Sequence, residues 1–266
     1  MRAVGPWVVP LLLLVAWQAA GDFGYLPERV LPTPGAVAQV GWQKAASGEL
    51  GQHIRTSSGR AAAGFLIGGG VGLVLGVLAG VSRAAETALD GTVQMLRTVP
   101  HLALIPLVIL WFGVGEGAKV FLVALGVLFP VYLNTYHGVR GVDPGLIEMG
   151  RVYGLGRWSL FRRVLLPGAL PSILIGVRYA LGVMWLTLIV AETIAATSGI
   201  GYMAMNAREF LRTDVVVLSI LLYAALGKLA DAAARLAERW CLPWHPAFAR
   251  VPPAAAVPDD PAGDRA

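Results

Sequence analysis

The chain has 266 residues, 56% of them hydrophobic and only 14% charged, with a mean hydropathy of +0.67. A soluble domain carries about a quarter charged residues, so this composition excludes one and defines a multi-span membrane protein. The net charge of +5 gathers as Arg in loops between apolar runs, the pattern of membrane topology and not of nucleic-acid binding, and the single Cys241 excludes an internal disulfide or a cysteine metal cluster.

The expected architecture is all-α and polytopic. Apolar stretches follow one another near 6–20, 60–81, 98–114, 118–137, 171–195 and 214–234, which predicts about six transmembrane helices of about 20 residues each. The first is short and follows Arg2. It reads as an uncleaved helix, with a signal peptide ending near Trp17–Ala20 as the alternative, and either delivers the chain to the outer side. In the second, Gly64, Gly68, Gly72, Gly76 and Gly80 recur every four residues and form one stripe. Small residues at that spacing let helices approach closely in lipid. The stripe reads as tight packing, or functionally as a seam on which helices rock. The third stretch extends back into 86–97 through Leu89, Val93 and Leu96. Pro100, Pro106 and Pro130 mark kinks in the third and fourth.

The loop at 138–170 holds five Arg against Asp143 and Glu148, which places it in the cytoplasm. Lys228, Arg235, Arg239 and Arg250 place the C-terminus there too. Asp143 is a helix cap and Pro144 suits a first helical position, so a helix is expected over 144–153. Gly154 ends it, a second helix covers 157–165, and Pro167 and Pro171 redirect the chain into the fifth span. Glu148 and Arg151 share a face and are placed to pair. Two short helices joined at a fixed angle make a rigid knob. The expected organisation is a first transmembrane helix and outer segment (1–59), a membrane core (60–250) and a disordered Pro- and Ala-rich tail (251–266).

The fifth span carries Arg178, Thr187, Glu192 and Thr193. Charges at membrane depth face protein or water. Arg178 reads either as a pathway or gate residue or as a side chain snorkelling to the cytoplasmic interface. Glu192, near the outer end, has the same two readings, and Thr193 joins it as a pathway candidate. Arg178 and Glu192 are about 21 Å apart along a helix and cannot pair within it. His53, His101, His137 and His245 are scattered and read as surface or interface residues, not metal ligands. Gly227-Lys228-Leu229 fails the phosphate-binding loop pattern. No metalloprotease or serine-hydrolase motif occurs, so no covalent chemistry is expected.

The spacing Glu148-x5-Gly154-x9-Val164-x-Leu166-Pro167 resembles the loop that ABC importer permeases present to their ATPase partners, EAA-x3-G-x9-I-x-L-P. Met149 and Gly150 stand where that pattern has Ala, and Val164 replaces Ile. From residue 60 to about 248 the chain is similar to the nitrate, sulfonate and taurine family of importer permeases. Residues 185–217 and 226–246 are similar to its aliphatic sulfonate branch. The resemblance implies a homodimeric permease in the bacterial inner membrane, two cytoplasmic ATPase subunits that bind ATP and Mg, and a periplasmic binding protein. Glu148, Arg151, Tyr153, Gly154, Val164, Leu166 and Pro167 then form the ATPase-docking segment, and 21–59 is periplasmic. The chain itself then holds no cofactor and is no enzyme. Taurine and nitrate are rival substrates, and an ion-coupled secondary transporter is the rival of a different class.

Overall fold

The computed structural model describes residues 5–244; His245, Arg250 and the expected tail at 251–266 lie outside the described residues. The described residues contain helices and no strands. In chain order they are α1 (Gly5–Asp22), α2 (Pro34–Ala46), α3 (Glu49–Val81), α4 (Arg83–Thr98), a 3-10 turn at His101–Leu104 leading into α5 (Ile105–Phe112), α6 (Glu116–Arg140), α7 (Pro144–Val152), α8 (Arg157–Leu160), a π turn at Phe161–Leu165, α9 (Leu166–Ala195), α10 (Ile200–Glu209) and α11 (Thr213–Cys241).

Four helices among the described residues are long and apolar enough to cross a membrane: α3, α6, the run Arg157–Ile194 and α11. α4 and the segment His101–Phe112 together are apolar enough for a fifth, counted as one broken span or a re-entrant loop, with a bend of 79° at the break between them. The described helices account for up to five of the expected six spans. The described apolar part of α1, Val8–Asp22, is under the 18-residue length of the others.

α3 and α6 run side by side in the same direction. Gly64 faces Val123, Gly68 faces Ala124, Gly72 faces Leu128, Gly76 faces Tyr132 and Thr135, and Gly80 faces Val139. All five glycines are buried, so the stripe lies on α6 along its whole length. At Gly72 and Gly76 a Cβ would meet backbone oxygens at 2.6 and 2.7 Å, an approach that only glycine permits. α9 runs back against α6, with Ser172 and Gly176 near Gly138 and Asn134. α11 then reverses again, with Tyr223 beside Glu192 and Asp231 beside Arg178. This register puts the end of α6, the 141–165 segment and the end of α11 at one end of the bundle, here the basic end. The central core joins Val123, Val127, Met184, Trp185, Leu188 and Tyr223 from α6, α9 and α11.

Three elements depart from expectation. α3 begins at Glu49, so helix runs unbroken through position 59. Its first turns read as loop because they are polar, yet Leu50 and Ile54 pack on the core while His53, Ser57 and Arg60 are buried on an adjoining face. α2 and α10 are helices within outer segments read as loops. Pro167 and Pro171 do not redirect the chain. α8, the π turn and α9 form one helical run of 38 residues. Pro167 follows closely on the π turn, and Pro171 lies inside α9, so the helical run continues through both.

Candidate functional site

At the basic end the 141–165 segment is built from local signals. Asp143 accepts from the Gly145 N–H at 2.8 Å, and Pro144 opens α7. Gly154 has φ +76°, the left-handed conformation that ends α7. The Gly154 N–H donates to the Arg151 carbonyl at 2.9 Å, and the Leu155 N–H donates to that of Gly150 at 3.0 Å. Gly150, which stands where the importer pattern has Ala, is buried beneath Leu160, Leu155 and Val164. A Cβ there would lie 2.7 Å from Leu160 Cδ1, so glycine lets α8 fold back over α7.

The resulting knob presents apolar side chains to the outside. Val152 is 85% exposed, Tyr153 79% and Trp158 71%, a patch of large apolar side chains on the knob's surface. Arg151, Arg157, Arg162 and Arg163 are exposed around them. Glu148 and Arg151 line a groove with Arg157 and Ile147 but form no ion pair with each other. On the other side, Tyr153, Val164 and Pro167 line a cavity of about 880 Å³ with Met149, His137 and Trp244. Leu166 is half-buried and packs on Val139, Ala169 and Ile173.

The opposite end is held by a buried ionic cluster. The side chains of Arg60 on α3 and Glu192 on α9 are 3% and 0% exposed, with Nη1 2.7 Å from Oε1. The Glu192 carboxylate also accepts from Ser57 Oγ at 2.8 Å, Tyr223 OH at 2.9 Å and the Gly201 N–H at 2.9 Å. Arg60 grips Glu116 at the start of α6 with Nε and Nη2, at 2.5 and 2.6 Å, and donates to the Ser198 carbonyl at 2.6 Å. His53 Nδ1 accepts from the Gly199 N–H at 3.0 Å. α3, α6, α9, α10 and α11 thus meet at one carboxylate–guanidinium pair. Sequence reasoning singled out Glu192 but not Arg60, Ser57, Glu116 or Tyr223. The available signal was Arg60 itself, a charge at the threshold of an apolar run.

Arg178 and Glu192 are far apart, as their spacing requires. Arg178 is exposed, 2.7 Å from Asp231 and 3.9 Å from Glu238 on α11. Thr193 donates to the Val190 carbonyl of its own helix and lines a groove between α9 and α11. No group of His, Cys, Asp or Glu among the described residues is placed to hold a metal.

Fold and site together define a polytopic, membrane-spanning helical protein with an exposed helix–Gly–helix knob at one end. Residues 72–241 match the family described as binding-protein-dependent transport system inner membrane component, and the chain belongs to that family. It is 62% identical to the aliphatic sulfonates transport permease protein of Escherichia coli (strain K12), over 92% of this chain and 93% of that one. It is 47% identical to the protein of the same description from Bacillus subtilis (strain 168), over 91% and 87%. The taurine transport system permease protein of Escherichia coli is 36% identical, over 88% and 87%. In fold the chain is similar to a chain of an amino acid ABC transporter, with TM-score 0.62 at 17% identity, covering 76% of this chain and 97% of that one.

Proposed function

We propose that this inner-membrane permease imports aliphatic sulfonates as the pathway-forming subunit of an ATP-driven transporter. Two copies form the route, a periplasmic binding protein delivers the anion, and two cytoplasmic ATPase subunits dock on the knobs. ATP and Mg are held by those subunits, and this chain performs no covalent chemistry. The basic end, including the end of α11, faces the cytoplasm. The 62% identity over nearly the whole of both chains carries the substrate assignment, and the 36% to the taurine permease makes taurine the weaker reading.

Glu148, Arg151 and Tyr153 contact the ATPase, Gly154 sets the angle between α7 and α8, and Val164, Leu166 and Pro167 seat the knob on the bundle. The mechanical link follows from the continuity of the run Arg157–Ile194. From Arg157 to Glu192 it spans about 52 Å at 1.5 Å per residue. Displacement of the knob by the ATPase is therefore transmitted as motion of a rod to the outer cluster around Glu192. Release and re-formation of that cluster alternates access between the two sides. Arg178, tied to Asp231 on α11, couples the rod to its neighbour midway. The test is uptake of labelled ethanesulfonate by proteoliposomes containing the complete transporter, with taurine and nitrate as competitors. Dominant competition by either rival would reassign the substrate.

A further inference from the structure

One polar pair outside the knob and the outer cluster sits where a span is broken. α4 and the segment His101–Phe112 meet at the 79° bend, and His101 is the first residue of the 3-10 turn beyond it. Its Nε2 lies 3.0 Å from Oγ1 of Thr187 on α9. Thr187 is 1% exposed, while His101 is half-buried. Gly126 of α6 makes room for the pair: a Cβ there would stand 2.9 Å from the Thr187 hydroxyl and 3.3 Å from the His101 ring. Gly126 divides Glu116–Arg140 into lengths of about 15 and about 21 Å. The pair therefore lies near mid-depth of a hydrocarbon core about 30 Å thick. A polar group at that depth is costly unless it faces protein or water, and in secondary transporters ligand sites lie at broken helices near the midplane. With Thr187 donating to Nε2, the ring proton sits on Nδ1, which has no hydrogen-bond partner among the described residues. Toward the basic end α4 continues as a polar lane. Asp90 is 3.5 Å from Tyr132 and from Gln94, and Glu86 meets Tyr136 at 2.6 Å and pairs with Arg140.

We propose that His101, oriented by Thr187, is a mid-membrane station of the translocation route, where Nδ1–H donates to an oxygen of a passing organic oxyanion. The anion's identity as a sulfonate rests on the substrate reading above; the lining of the route by His101 does not.

The test uses the complete transporter in proteoliposomes, with Cys241→Ser removing the chain's single cysteine. His101→Cys is exposed to the water-soluble reagent sulfonatoethyl methanethiosulfonate, with and without ATP, and labelling is read by mass spectrometry. Ethanesulfonate uptake is measured in parallel for His101→Ala and His101→Gln. Position 101 is expected to label in at least one nucleotide state. His101→Ala should lower the maximal uptake rate about tenfold, in line with loss of one hydrogen bond to a charged ligand. Binding-protein-stimulated ATP hydrolysis should fall much less, and His101→Gln, which keeps an N–H donor, should recover part of the uptake. Absence of labelling in both states, wild-type uptake by the Ala variant, or equal losses of uptake and ATP hydrolysis would each overturn the station and leave His101 a bracket for the bend. Labelling at 101 without ethanesulfonate uptake by the Cys241→Ser transporter would support the lining and overturn the sulfonate as its ligand.

Discussion

Glu192 shows why a single residue can hold one end of this bundle. Its carboxylate accepts from side chains on α3 and α11 and from the backbone at the start of α10. A buried charge left without its partner costs about 3–5 kcal/mol. Glu192→Ala is therefore expected to lower the detergent melting temperature sharply, because Arg60 loses its buried carboxylate and keeps only the exposed Glu116 as an anionic partner. The charge-swapped pair Arg60→Glu with Glu192→Arg should not restore it. The Gly201 N–H requires an acceptor at 192, and the Ser198 carbonyl requires a donor at 60. Recovery of wild-type melting by the swap would contradict this geometry. Glu192 is conspicuous in the sequence as a carboxylate in an apolar span, but its function as the hub of a cluster is not legible there. Arg60 lies 132 residues away, and only the packing of α3 beside α9 brings the two together.

The glycine stripe of α3 and the helical run Arg157–Ile194 carry the architecture at the scale of elements. Gly68 approaches the backbone of Ala124 so closely that any side chain must push α6 away. Gly68→Val is expected to destabilise the bundle by about 1–3 kcal/mol, the range for overpacking a tight interior. Gly70, which meets nothing within 4 Å, should accept the same change with little effect. Comparison of the two variants by thermal aggregation in detergent checks this, and equal behaviour would remove the close-packing argument. The stripe was legible because its period of four is a local property. The start of the knob at Asp143-Pro144 and its turn at Gly154 were legible for the same reason. The helical first turns of α3 were hidden because His53 and Ser57 are polar, and hydropathy cannot register a polar face that finds partners inside the protein. Continuity across Pro167 was hidden because proline is read as a breaker, whereas here the helical run continues through it.

For the whole molecule, orientation and coupling are the two claims that matter. The five Arg of 138–170 carry the proposal that the basic end faces the cytoplasm. In a Cys241→Ser background, a cysteine replacing Arg157 should escape an impermeant reagent applied to intact cells. One replacing Glu209, exposed at the end of α10, should react. Labelling at 157 would invert the topology. The proposed coupling turns on the angle at Gly154, whose φ of +76° disfavours any side chain although nothing crowds its Cβ position. A Cβ in that conformation costs about 1–2 kcal/mol, and a β-branched side chain is stiffer still. Gly154→Val is therefore expected to leave insertion intact and to turn α7 away from α8, and with it from the proposed ATPase contact. Glu148→Lys, also outside the spans, should weaken ATPase capture in a pull-down by removing a contact of the docking face. The most direct measurement is the number of sulfonate ions imported per ATP hydrolysed by the complete transporter in proteoliposomes, for wild type and Gly154→Val at equal permease content. The expected result is a ratio at least about tenfold lower in the variant, equivalent to about 1.4 kcal/mol or more of lost coupling. An unchanged ratio, with the ATPase still bound, would show that the knob anchors topology and does not transmit the power stroke.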